Sequence, residues 1–171
     1  MARGNLPSNT PTVPAESFFA INALYLWAKD VGNDLLALEG VRKRGDTSLI
    51  SLATLGLSEL TAPLKKQRKY RLQGRLFFSA NVKIRFVGPS SPTRVMISYE
   101  RIDTAGDART LLTAYSAADI VLANAGVLSF DGIVHNGATE GDFGISWAQN
   151  SSNVTPSVLY AGSWLQYSLI D

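Results

Sequence analysis

The 171-residue chain contains no cysteine and a single histidine, His135. Without thiols it can build neither a disulfide framework, nor a thiolate metal site, nor a cysteine nucleophile. One imidazole leaves too few nitrogen ligands for a usual zinc site and one possible partner for a Ser/His triad. Long hydrophobic runs are also missing: the longest, residues 18–28, is interrupted by Asn22 and falls short of the ~20 residues that span a bilayer. The opening MARGNLPSNTPTVP is polar and proline-containing, unlike a secretory signal, so synthesis in the cytoplasm and no membrane partner are expected. No nucleophile elbow, P-loop or metal-ligand set occurs. The sequence therefore reads as non-enzymatic, with no cofactor.

Positive charge is absent from the last third. Residues 110–171 carry no Lys or Arg and five acidic groups, residues 41–109 carry fourteen basic and five acidic, and residues 1–40 carry two basic and four acidic. Clusters such as Arg42, Lys43, Arg44 and Lys65, Lys66, Arg68, Lys69 could hold nucleic acid. Neither a glycine-flanked aromatic signature nor a basic helix accompanies them. The plainer reading is that basic strands pair with acidic ones and that Lys and Arg guard exposed sheet edges.

At 46% hydrophobic and 18% charged, the chain has material for one sizeable core. Residues 1–14 hold Pro7, Pro11 and Pro14 among Asn, Ser and Thr and read as an extended arm. Residues 15–40 read as one helix, with Pro14 at its start and Gly40 at its end. Within it Ile21, Leu24, Ala28, Val31, Leu35 and Leu38 step by three and four, an oligomerisation seam, although a helix packed on its own domain would show the same stripe. The surplus aromatics Phe18, Phe19 and Trp27 fall outside the seam and are candidates for anchoring to a larger particle.

From about Thr47 the period changes to two. Tyr70, Leu72, Gly74, Leu76 and Phe78 alternate with Arg71, Gln73, Arg75 and Phe77, and Val82, Ile84 and Phe86 alternate with Lys83 and Arg85. Further β runs are expected over 95–99, 109–114, 119–122, 127–130, 143–147, 154–160 and 163–169. Eight or more short strands imply a mainly β, antiparallel sandwich or jelly-roll head over 41–171.

The run from Phe130 through Trp147-Ala-Gln-Asn150, then Gly162-Ser-Trp-Leu165, resembles the closing strands of C1q/TNF-like trimeric jelly-roll domains in tailed-phage and prophage virion proteins. Matching positions include Gly132, Gly137, Trp147, Gln149, Asn150, Gly162 and Trp164, and a weaker likeness reaches upstream through residues 64–78. The resemblance implies a homotrimer carried on a virion, touching other virion proteins such as a major capsid protein or a tail adaptor. It implies a capsid decoration or cement protein, or alternatively a short tail fibre or receptor-binding tip that meets a host-surface receptor.

The matched residues also have a mechanical reading. The glycines suit turns and close strand approach, Trp147 and Trp164 suit places where sheets or subunits meet, and Gln149 and Asn150 can bond backbone at a strand end. His135 and Asn136 beside Gly137 read as a tight hairpin turn rather than a catalytic base. Glu140 with Asp142, and Asp103 with Asp107, could reach calcium but lack the wider ligand set a loop site needs. The glycosylation patterns at Asn150 and Asn153 have no secretory context and read as chance.

Overall fold

A computed structural model describes residues 39–103, 106–115 and 118–170. The seam residues Ile21, Leu24, Ala28, Val31, Leu35 and Leu38 and the aromatics Phe18, Phe19 and Trp27 lie outside the described residues, as does the arm. The described strands are β1 (Glu39–Arg42), β2 (Thr47–Leu49), β3 (Gly56–Leu64), β4 (Lys69–Phe78), β5 (Val82–Val87) and β6 (Arg94–Asp103). They continue with β7 (Gly106–Leu112), β8 (Ile120–Leu122), β9 (Gly126–His135), β10 (Gly141–Gln149), β11 (Ser157–Leu159) and β12 (Trp164–Leu169). The fold is mainly β, as the period-two patterning requires.

All pairings are antiparallel and fall into two sheets. The larger runs β1-β12-β4-β9-β6-β7, with β11 against the end of β4 and β2 against β11; the smaller runs β3-β10-β5-β8. Alternation decides which side chains meet between them. Tyr70, Leu72, Leu76 and Phe78 of β4, Leu128, Phe130 and Val134 of β9, and Val95 and Ile97 of β6 point inward from the larger sheet. Leu60 and Leu64 of β3, Val82, Ile84 and Phe86 of β5, and Phe143, Ile145 and Trp147 of β10 answer them. At the centre Phe86 meets Phe130 edge-on at 4.9 Å and stacks on Phe143 at 6.0 Å, both favoured ring geometries.

Four sequence expectations need correction. Gly40 does not close a helix: it lies inside β1, opposite Gln166, where a Cβ would come within 2.9 Å of Gln166 Cγ and 3.1 Å of the Leu165 oxygen. The glycine serves close strand approach, so the β head begins at or before Glu39 rather than at residue 41. The segment around His135 is not a hairpin either, because β9 and β10 belong to different sheets; His135 stays in β9 between Lys69 and Arg94, and residues 136–140 cross from one sheet to the other. Residues 154–156 are not strand: Asn153 Oδ1 accepts from the Thr155 N–H at 2.9 Å and Pro156 has no N–H to donate, so β11 starts only at Ser157. Finally, residues 56–64 form β3, a strand the patterning does not announce because Ser58 and Ala62 take two of its inward positions while Leu57 faces out. Pro63 is tolerated there because β3 is an edge strand among the described residues, paired with β10 alone.

Candidate functional site

Strand register builds the outward face of the larger sheet. Ladder pairing sets Arg42, Trp164, Arg75, Ser129, Glu100 and Arg109 side by side across six strands. The adjacent row runs Gln166, Gln73, Asp131 and Ser98, and the row beyond it Ser168, Arg71, Ile133 and Met96. These residues face out because their strand neighbours on β4, β9 and β6 face the core.

Asp131 organises the middle of this face. Its Oδ2 accepts from Arg71 Nη2 at 3.0 Å, Arg71 Nε at 3.2 Å and Gln73 Nε2 at 2.7 Å. Arg75 Nε donates to Ser129 Oγ at 3.2 Å and Arg109 Nε to Ser98 Oγ at 3.0 Å. Arg71 and Asp131 are each 54% exposed, so their pairing contributes less than about 1 kcal/mol and chiefly fixes the side chains in place. Open depressions mark the face, about 310 Å³ against Gly40, Arg42, Trp164 and Gln166, about 240 Å³ against Ser98, Glu100, Arg109 and Asp131, and about 210 Å³ against Arg71, Gln73, Gln166 and Ser168. Arginine, a half-buried tryptophan and forked hydrogen-bonding groups on a flat sheet suit contact with another protein surface better than enclosure of a small molecule.

Basic strands do meet acidic partners. Besides Arg71 with Asp131, Asp119 just before β8 holds Arg85 at 2.7 Å and Lys83 at 3.5 Å.

Three polar clamps tie the loops to the sheets. Asn136 is fully buried; its Nδ2 donates to the carbonyls of Leu64, Lys65 and Thr139, and its Oδ1 accepts from the Gly137 N–H. Gln149, also fully buried, accepts at Oε1 from the N–H groups of Leu52 and Asn153 and donates from Nε2 to the Thr155 carbonyl. Lys43 is 2% exposed and donates to Thr47 Oγ1 and, at 2.7 Å, to Glu59 Oε1. That carboxylate lies within the stretch of β3 where the register shifts. Basic composition hid this buried lysine among surface cations; its signal was Glu59, the single charged residue between Thr47 and Leu64.

Among the described residues three groups have shifted pKa values. The Lys43 hydrogen bond holds Glu59 below the usual glutamate range against the opposing effect of burial. Burial pushes Tyr115 up to about 12. Burial, and then the hydrogen bond that Tyr167 donates to Glu39, pushes Tyr167 up to about 12. All three move away from neutrality, so none of them is poised as a general acid or base.

The remaining sequence-selected residues are scaffold. A Cβ on Gly132 would lie 2.5 Å from the Met96 oxygen and one on Gly137 2.1 Å from the Ser91 oxygen, while Gly162 takes φ +85°. Trp147 is in the core and Trp164 on the outward face. The Asn150 N–H donates to the Asn81 carbonyl, so its backbone rather than its side chain closes the strand end. Among the described residues no three His, Cys, Asp or Glu side chains gather as a metal site, and Asp103 instead lies 3.2 Å from Arg101 Nε. No protein-family model matches the chain, and no curated protein matches it in sequence.

Proposed function

We propose that this chain is a non-enzymatic structural protein of a tailed-phage virion, a jelly-roll head that closes into a homotrimer and serves as a capsid decoration or cement protein. The observation that carries the reading is the strand order. With the β2/β11 pair and the β6–β7 hairpin set aside, eight strands remain, ordered β1-β12-β4-β9 over β3-β10-β5-β8. That order supports the reading, because two interlocked Greek keys of viral and lectin jelly rolls would run their strands in the same sequence. The outward face supports trimer closure: Trp164, Met96, Arg71 and Arg75 are residue types that interfaces favour, and Ile133 beside them is 45% exposed. Residues 1–38, with Phe18, Phe19 and Trp27, would anchor the head to the particle.

One observation favours a tail-fibre or receptor-binding tip as the second reading. Ile50, Leu52 and Val154 are 56%, 42% and 81% exposed on two loops that the Gln149 clamp and the Ser51–Asn153 backbone bond hold together. A fixed apolar tip of this kind suits adhesion to a surface.

The mass of the full chain in solution tests assembly, with three chains expected; a monomer at all concentrations overturns the trimer. Particles lacking the protein then separate the roles. Loss of heat tolerance, restored by adding the chain back, supports cement, whereas unchanged stability with lost host adsorption moves the protein to the tail.

A further inference from the structure

Among the described residues the larger sheet ends in β7, a strand exposed on both faces over residues 106–111 and paired on one side only, with β6. Natural edge strands are normally guarded by proline, a bulge, lysine or a covering loop. β7 contains no proline or lysine, its one cation, Arg109, is offset by Asp107 on the same face, and its register with β6 is continuous from Ile97↔Leu112 to Asp103↔Gly106. Its charges are Asp107 and Arg109, on the outward face with Leu111; Gly106, Ala108 and Thr110 alternate on the other. Asp107 has no hydrogen bond or ion pair among the described residues, and Arg109 uses only Nε, on Ser98 Oγ.

We propose that β7 is a self-complementary edge that pairs antiparallel with β7 of a second copy of this chain, joining two larger sheets into one. The charge pattern selects the partner and the register. Residues opposite one another in an antiparallel ladder lie on the same face, so a two-fold axis must pass through a residue of the strand. An axis at residue 107 sets Asp107 against its own copy, and one at residue 109 sets Arg109 against its own copy, both repulsive. An axis at residue 110 leaves both charges without a charged partner. Only an axis at Ala108 places Asp107 opposite the partner's Arg109 twice, with the small Ala108 residues facing each other and Gly106 facing the partner's Thr110. Backbone pairing along 106–110 supplies the unmet N–H and C=O groups, and the two ion pairs set the register. This pairing uses the sheet edge and is independent of whether the sheet face makes a trimer.

The test uses the full chain in sedimentation equilibrium from micromolar to millimolar concentration. The expected result is a reversible doubling of whatever unit is present at the lowest concentration. Asp107→Arg and Arg109→Asp each turn two attractions into two repulsions and are expected to weaken the doubling about tenfold. The double variant D107R/R109D is expected to restore it, and mixing the two single variants should pair a positive edge with a negative one. Circular dichroism of each variant checks that the β head remains folded. No doubling of the unsubstituted chain, single variants that double as well as it does, or a folded double variant that fails to recover would each overturn the proposal.

Discussion

Gly74 and Phe130 are ladder partners that share one space: a Cβ on Gly74 would lie 2.2 Å from Phe130 Cζ and 2.3 Å from Cε1. The ring lies across the bare glycine and meets Phe86 at 4.9 Å, so the centre of the larger sheet is shaped by an absent side chain. The Trp164 carbonyl oxygen closes the same gap at 2.8 Å from that position.

Gly74→Ala is therefore expected to destabilise the head by about 3 kcal/mol, the upper range for overpacking a core. Urea denaturation measures it. Phe130→Leu in the Gly74→Ala background should cost less than it does alone, because it removes the clash along with the ring. Additive costs would show that ring and glycine do not compete.

The Asn136 clamp leads to a second expectation. Asn136→Ala strands the carbonyls of Leu64, Lys65 and Thr139 at a buried site and should cost about 2–4 kcal/mol. Asn136→Asp should cost more, since it sets a carboxylate against carbonyl oxygens. Thermal unfolding of the two variants checks the order; an aspartate better tolerated than alanine would refute the clamp.

Most strands were legible in the sequence because one face of each is buried, and burial writes itself as alternation. β4 and β5 are the clear cases, from Tyr70 to Phe78 and from Val82 to Phe86. β1 was not legible, since Gly40 suits a helix end as well as a close strand contact, and only the position of Gln166 decides between them. β3 was hidden by Ser58 and Ala62 at inward positions, by the outward Leu57 and by Pro63. The scaffold roles of Gln149 and the glycines could be read from residue type, whereas the outward rows could not. Which arginine stands beside Trp164 depends on registers between strands roughly 90 and 120 residues apart, and local pattern carries no register.

The Lys43–Glu59 pair gives a pH dependence with a definite sign. The folded-state pKa of Glu59 is lowered, so its contribution is complete above the unfolded carboxyl value and is lost as pH falls through the folded one. Glu59→Gln should destabilise at neutral pH by about 1 kcal/mol, a buried-pair cost discounted because Glu59 is 51% exposed. The variant and the unsubstituted chain should converge only once pH has fallen below the lowered folded-state value, where Glu59 is protonated in both states. Urea midpoints at neutral and acid pH measure this, and a gap that stays constant would remove the pair as its source.

The start of the β head can be located by truncation. A chain beginning at Leu38 keeps β1, whose Val41 packs on the core and whose Glu39 accepts a hydrogen bond from Tyr167, and it should fold as the full chain does. One beginning at Lys43 loses that strand and the apolar burial of Val41, at a cost of about 2 kcal/mol. It keeps the Lys43 N–H bond to Ser163 and the Gly162 N–H bond to Lys43, so weakening rather than collapse is expected. If residues 1–38 form the anchor, the chain from Leu38 should fold yet fail to co-sediment with particles that lack the protein, while the full chain joins them. Equal co-sedimentation would move the anchor into the β head. Unfolding of the chain from Leu38 would instead show that the head needs residues before β1.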